Sequence, residues 1–138
     1  MKKILFLLSI MFLFSCGNTN SQIIEDVNTE NFHQLIEKGD GIIIDVRTSQ
    51  EFNSGHIIDA TNIDFYSDDF TDKLKIVRKD VPIYVYCRSG GRSSSAAEKM
   101  EKLGFTKVYN MIAGIGSWQS EGYETIKSKE VETTNQPK

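Results

Sequence analysis

Three consecutive isoleucines, Ile42-Ile43-Ile44, follow a Gly39-Asp40-Gly41 break and run straight into Asp45. A strand with one face in water alternates apolar and polar residues, whereas an unbroken apolar run marks a strand covered on both faces, as in a parallel sheet between layers of helices. Such a sheet needs a crossover, usually a helix, between successive strands, and the chain supplies them. Short strand patterns at residues 23–27, 42–44, 61–63, 81–86 and 107–109 alternate with helical spacing. Phe32, Leu35 and Ile36 share one face of a helix capped by Asn28 or Thr29 and running to about residue 38. Thr48 can cap a turn through Phe52 that Asn53-Ser54-Gly55 ends, and Phe70, Leu74 and Val77 keep helical spacing over 70–77. Ser93 can cap a helix reaching Leu103 before Gly104, and a last helical turn covers 116–120. Pro82 opens its strand, where a missing N–H is tolerated. One α/β domain with a largely parallel sheet is expected.

The N-terminal residues stand apart from that pattern. Lys2 and Lys3 precede an apolar run over 4–14 that is too short to span a bilayer and reads as a secretory signal. Leu13-Phe14-Ser15-Cys16 resembles the bacterial lipobox, which implies cleavage before Cys16 and a lipid on its thiol. The expected organisation is a signal over 1–15, a lipid-anchored tether over 16–22, one domain over 23–126 and a loose polar tail over 127–138. The protein would then be extracytoplasmic and held on a bacterial membrane. Losing Lys2 and Lys3 takes the net charge from −3 to −5, so nothing favours nucleic acid as a partner. A lipidated Cys16 would leave Cys87 as a lone thiol, with no resolving cysteine in the chain.

The chemistry concentrates in Tyr86-Cys87-Arg88-Ser89-Gly90-Gly91-Arg92-Ser93, a strand end, a glycine-containing loop and a helix start. Ligands in open α/β sheets sit beyond the carboxyl ends of the strands. Gly90 and Gly91 allow the positive φ angles with which a loop can curl its N–H groups toward the sulfur. The helix N-terminus adds further N–H groups, and Arg88 and Arg92 add formal charge. Each effect favours a thiolate and an anionic substrate.

The loop and its surroundings resemble the rhodanese domain over residues 27–123. The resemblance rests on Ile44-Asp45-Val46-Arg47, Glu51-Phe52, Gly55-His56-Ile57, Ala60-Thr61-Asn62-Ile63, the cysteine loop, Ala96-Ala97, Leu103-Gly104-Phe105 and Gly114-Ile115-Gly116-Ser117-Trp118 before Gly122. It implies a three-layer α/β fold with a mostly parallel five-stranded sheet and helices on both faces. It implies a sulfurtransferase in which the Cys87 thiolate takes sulfane sulfur from an anionic donor, of thiosulfate or polysulfide type, and passes it as a persulfide to a thiol or cyanide-like acceptor. Arg88, Ser89, Gly90, Gly91, Arg92 and Ser93 would bind substrate. Asp45, Arg47 and Glu51 read as an ion-pair network bracing the loops, and His56 as a structural hydrogen-bonding group. No cofactor and no metal are expected, and the protein should be a monomer. The loops of tyrosine phosphatases are one residue longer between cysteine and arginine, which sets the phosphatase reading aside. The alternative is a non-enzymatic module that binds a partner or senses oxidants through Cys87. Two departures from the family pattern, Ala113 in place of a common glycine and Tyr123-Glu124 in place of a frequent proline, bear on the shape of the pocket entrance. Trp118 is expected to pack over the domain end and His33 to lie on the surface.

Overall fold

The computed structural model describes residues 23–128; the expected signal, Cys16, its tether and residues 129–138 of the tail lie outside them. The elements run β1 (Ile24–Val27), α1 (Thr29–Ile36), β2 (Ile42–Asp45), α2 (Ser49–Ser54), β3 (Thr61–Asn62), α3 (Phe70–Ile76), β4 (Ile83–Tyr86), α4 (Gly91–Lys102), β5 (Val108–Met111) and α5 (Gly114–Ser120). The five strands form one sheet in the order β1-β5-β4-β2-β3, and every pairing is parallel. Strand β4 is therefore central, with Ile44 opposite Val85 on one side and Asn110 opposite Val85 on the other.

Side chains alternate across a strand, and the two faces of β4 carry two different cores. Ile83, Val85 and the following Cys87 join Ile44, Val46, Phe70, Leu74, Ala96, Ala97 and Met100 on the side of α3 and α4. Tyr84 and Tyr86 join Phe32, Met111, Ile115 and Trp118 on the side of α1 and α5. The isoleucine run of β2 contributes to both cores, Ile42 and Ile44 to the first and Ile43 to the second. This is the three-layer arrangement that the unbroken apolar run required.

Local chemistry sets the element ends. Asn28 caps α1 by accepting from the Asn31 N–H at 2.8 Å. Thr48 and Glu51 form a capping box at the start of α2. The sequence expectation fails at α4, which begins two residues before Ser93. Gly90, at φ +95°, occupies its cap position, and no side chain caps this helix. Gly91 does not have a positive φ, so Gly90 alone makes the left-handed step. His33 is half-buried rather than a free surface residue, because its ring stacks on Tyr123 at 4.5 Å.

Candidate active site

Cys87 follows the last residue of the central strand, at the carboxyl edge of the sheet, and its side chain is buried. The Gly90 N–H donates to the Cys87 Sγ at 3.1 Å, and the Ser93 Oγ lies 3.5 Å from the same sulfur. The backbone N–H groups of Ser89 and Ser93 also favour its thiolate form. Burial alone pushes this thiol up, but the hydroxyl of Ser93 and the N–H groups of Ser93, Ser89 and Gly90 outweigh burial and hold it below the ordinary thiol value. The uncapped start of α4 contributes directly, since N–H groups that a side-chain cap would satisfy are left for the sulfur.

The first turn of α5 braces this cradle. The Ile115 N–H donates to the Cys87 carbonyl at 2.9 Å and the Gly116 N–H to the Arg88 carbonyl at 3.2 Å. In a trans peptide the N–H points opposite to the C=O. Fixing the Arg88 carbonyl against the first turn of α5 therefore turns the Ser89 N–H the other way, toward the sulfur. The approach is close enough to demand glycine. A Cβ on Gly114, which sits at φ +65°, would come 2.4 Å from the Arg88 carbonyl, and one on Gly90 would come 2.1 Å from the Ile112 carbonyl oxygen. Sequence reasoning gave Gly114 and Gly116 no role at the thiol. Their signal was the Gly-x-Gly spacing, which carries no record of what backbone it faces. Ala113 needs no glycine, because its φ of −87° suits any residue. Tyr123 fills space beside Trp118, at 4.7 Å between ring centres, and the Glu124 carbonyl accepts from the Trp118 indole N–H at 2.9 Å. Trp118 is buried in the second core.

The arginines have different fates. Arg92 is bound in fork geometry by Glu51, with Nη1 to Oε2 at 2.8 Å and Nη2 to Oε1 at 2.9 Å, and lies 5.6 Å over the Tyr66 ring. Hydrogen bonding from Arg92 lowers the Glu51 carboxyl to about 2, with burial opposing and Thr48 assisting. Arg92 is thus a strut between α4 and α2 and not the free cation its position suggested. Its partner is Glu51, which sequence spacing had set beside Arg47. Arg88 is exposed and makes no ion pair among the described residues. It lines a polar groove of about 270 Å³ with Arg47, Glu51, Ser54, Gly55, Ile115, Gly116 and Gln119. Ser89 is exposed on the same loop, and Gly91 has open space where a Cβ would stand.

Asp45 and Arg47 form a buried pair at the end of β2, with Nη2 to Oδ2 at 2.6 Å, and the same Nη2 donates to the Gly55 carbonyl at 2.7 Å. That ties β2 to the end of α2, and Asn62 of β3 joins in by donating to the carbonyls of Asp45 and Arg47. His56 stacks on Phe52 at 3.7 Å and its Nδ1 lies 2.9 Å from the Phe52 carbonyl, which can only accept, so Nδ1 carries a proton. Its backbone pairs with Ile126. His56 is neither among the sulfur's hydrogen-bonding partners nor in the Arg88 groove.

A family model for the Rhodanese-like domain matches residues 28–121, which include every group just described around the sulfur. The chain belongs to the rhodanese-like domain family. Among its relatives is the uncharacterized protein YqhL of Bacillus subtilis, 31% identical over 115 residues, covering 83% of this chain and 88% of YqhL. Thiosulfate sulfurtransferase GlpE of Coxiella burnetii is 31% identical over 88 residues, covering 63% of this chain and 79% of GlpE. The rhodanese-related protein of Thermoplasma volcanium superposes with a TM-score of 0.67 at 30% identity, covering 75% of this chain and 99% of that one. The rhodanese-like α/β fold with its five-stranded parallel sheet is thus the fold of this protein.

Proposed function

We propose that this rhodanese-like domain is a sulfurtransferase that carries sulfane sulfur on Cys87. The observation that carries the reading is the buried thiol at the end of the central strand, which accepts from the Gly90 N–H and the Ser93 hydroxyl and is held below the ordinary thiol value. The thiolate attacks the outer sulfur of a donor such as thiosulfate. The new Cys87 S–S bond forms as the donor's S–S bond breaks, and sulfite leaves with the electron pair. The terminal persulfide sulfur inherits the negative charge, which the cradle N–H groups stabilise. A thiol or cyanide acceptor then attacks that sulfur and regenerates the thiolate, two half-reactions that give ping-pong kinetics. Arg88, the rim cation without an ion-pair partner among the described residues, binds the anionic donor. The sulfurtransferase name of a relative at similar length supports the same chemistry. The leader pattern supports a further proposal, that Cys16 carries lipid and holds the domain outside the cytoplasm.

The test is intact-protein mass spectrometry after thiosulfate or polysulfide, then after cyanide. An adduct of about 32 Da, one sulfur atom, should map to Cys87 and leave as thiocyanate. A reactive Cys87 that takes sulfur from neither donor would overturn the reading and leave a binding or redox-sensing module.

A further inference from the structure

One buried polar side chain in the core has no explanation in packing. Asn110 lies on β5, is fully buried, and its Oδ1 has no hydrogen-bond partner. An unsatisfied buried carbonyl costs about 1–3 kcal/mol, so an apolar residue would suit the position better unless the amide does something else. Its Nδ2 spends both protons, one on Asp26 Oδ1 at 2.8 Å and one on Ser94 Oγ at 3.0 Å. Having accepted there, the Ser94 hydroxyl turns its own proton to the Gly90 carbonyl at 2.8 Å. The Ser94 N–H donates to the same carbonyl at 3.0 Å. A carbonyl oxygen has two lone pairs, and these two bonds fill them.

That matters for Ser93, whose hydroxyl has a single proton and two acceptors within reach, the Gly90 carbonyl at 3.1 Å and the Cys87 Sγ at 3.5 Å. With the carbonyl already satisfied by Ser94, the Ser93 proton is left for the sulfur, where a charged acceptor makes the stronger bond. We propose that Asn110 and Ser94 are positioning residues, a directed hydrogen-bond relay that reserves the Ser93 hydroxyl for the Cys87 sulfur. The relay deepens the sulfurtransferase reading and rests on it for its purpose, though its effect on the thiol can be read without any sulfur transfer.

The experiment is a double-mutant cycle on the full domain, with Ser93→Ala, Ser94→Ala and the pair, read as the pH profile of Cys87 alkylation by neutral iodoacetamide. The other titratable groups around the loop stay unchanged in all four proteins: Arg88 on the loop, Arg92 of α4 with Glu51 of α2, Tyr66, Asp26 of β1, and the Asp45–Arg47 pair at the end of β2. Ser94→Ala should move the profile to higher pH and slow alkylation at neutral pH about fivefold, the worth of one ordinary hydrogen bond. Ser93→Ala should do the same, the pair should be no slower than Ser93→Ala alone, and Ser94→Thr, which keeps the hydroxyl, should restore the native profile. Effects of Ser93→Ala and Ser94→Ala that multiply, or a Ser94→Ala profile identical to the native one, would overturn the relay. Sulfur uptake by the native protein, followed by mass in parallel, keeps the two readings apart: its absence overturns sulfur transfer, whereas the cycle judges the relay.

Discussion

Cys87 differs from every other buried side chain of its core in that its polar atom accepts from a backbone N–H and a hydroxyl. Because serine nearly matches cysteine in size and its hydroxyl can take the same donors, Cys87→Ser should keep the fold, with a thermal midpoint within a few degrees of native, and lose sulfur transfer altogether, which cyanide-dependent thiocyanate production would show. Turnover in that variant would remove Cys87 from the mechanism. The pH dependence of the native thiol follows from its lowered value. Nucleophilicity should be retained as pH falls below the ordinary thiol range of about 8.5 and disappear only as pH drops through the folded value. The same sign holds for stability. The thiolate's hydrogen bonds contribute fully above the unfolded thiol value and are lost as pH falls through the folded one. At this scale the sequence placed the cysteine at the end of a strand and before a glycine-containing loop, which is where it stands in the fold. It read Ser93 as a helix cap and, by resemblance, as a substrate-binding residue, whereas in the fold its hydroxyl donates to the sulfur, and it expected a positive φ at Gly91 as well as at Gly90, which only Gly90 has. Both outcomes depend on where the helix starts, and helix starts shift by a residue or two with tertiary context.

Two contacts between elements hold the cradle, and each makes a prediction. The first turn of α5 clasps the carbonyls of Cys87 and Arg88, and Gly114→Ala would drive a methyl group into the Arg88 carbonyl. A left-handed alanine together with that overlap should cost about 2 kcal/mol or more in urea unfolding and should also shift the Cys87 alkylation profile to higher pH. A stability loss without a shift in the thiol would mean the clasp does not orient the loop. The Glu51–Arg92 pair joins α2 to α4 and is only partly exposed, at 29% and 17% of the two side chains. Glu51 is depressed to about 2 in the fold, chiefly by Arg92, against about 4.3 in an unfolded chain. Its contribution is therefore present above the unfolded value and is lost as pH falls from about 4.5 toward 2. Glu51→Gln should lower stability at pH 7 by about 1 kcal/mol and flatten the acid limb of the stability curve. Equal acid sensitivity in native and variant proteins, by chemical denaturation at pH 6 and pH 3, would show that the pair does not hold the two helices.

At the scale of the whole molecule, the sheet order places β4 in the centre, so that the loop after it can be reached by the start of α5 on one side and by α2 on the other. The two cores on opposite faces of the sheet fix that geometry and leave the carboxyl edge free for chemistry. If Cys16 carries lipid, the full chain should partition into the membrane fraction and incorporate labelled palmitate, and Cys16→Ser should abolish both while a soluble domain still takes up sulfur at Cys87. Membrane association of Cys16→Ser equal to native would remove the lipid anchor.

What the sequence determined by itself was periodic or local: the isoleucine run and its flanking breaks marked a buried parallel strand, Asn28 or Thr29 and Thr48 marked two helix starts, and Cys87 fell at a strand end with the left-handed Gly90 after it. These readings succeed because strand alternation, capping and positive φ are properties of a few neighbouring residues. The tertiary structure alone decided which charges meet and which carbonyls are held. Glu51 pairs with Arg92 forty-one positions away rather than with nearby Arg47, Gly114 lies against Arg88, and Asn110 reaches Ser94 across from β5 to α4. Those contacts are set by the order of strands in the sheet, and a hydrogen bond between distant residues leaves no periodic trace in the chain that forms it.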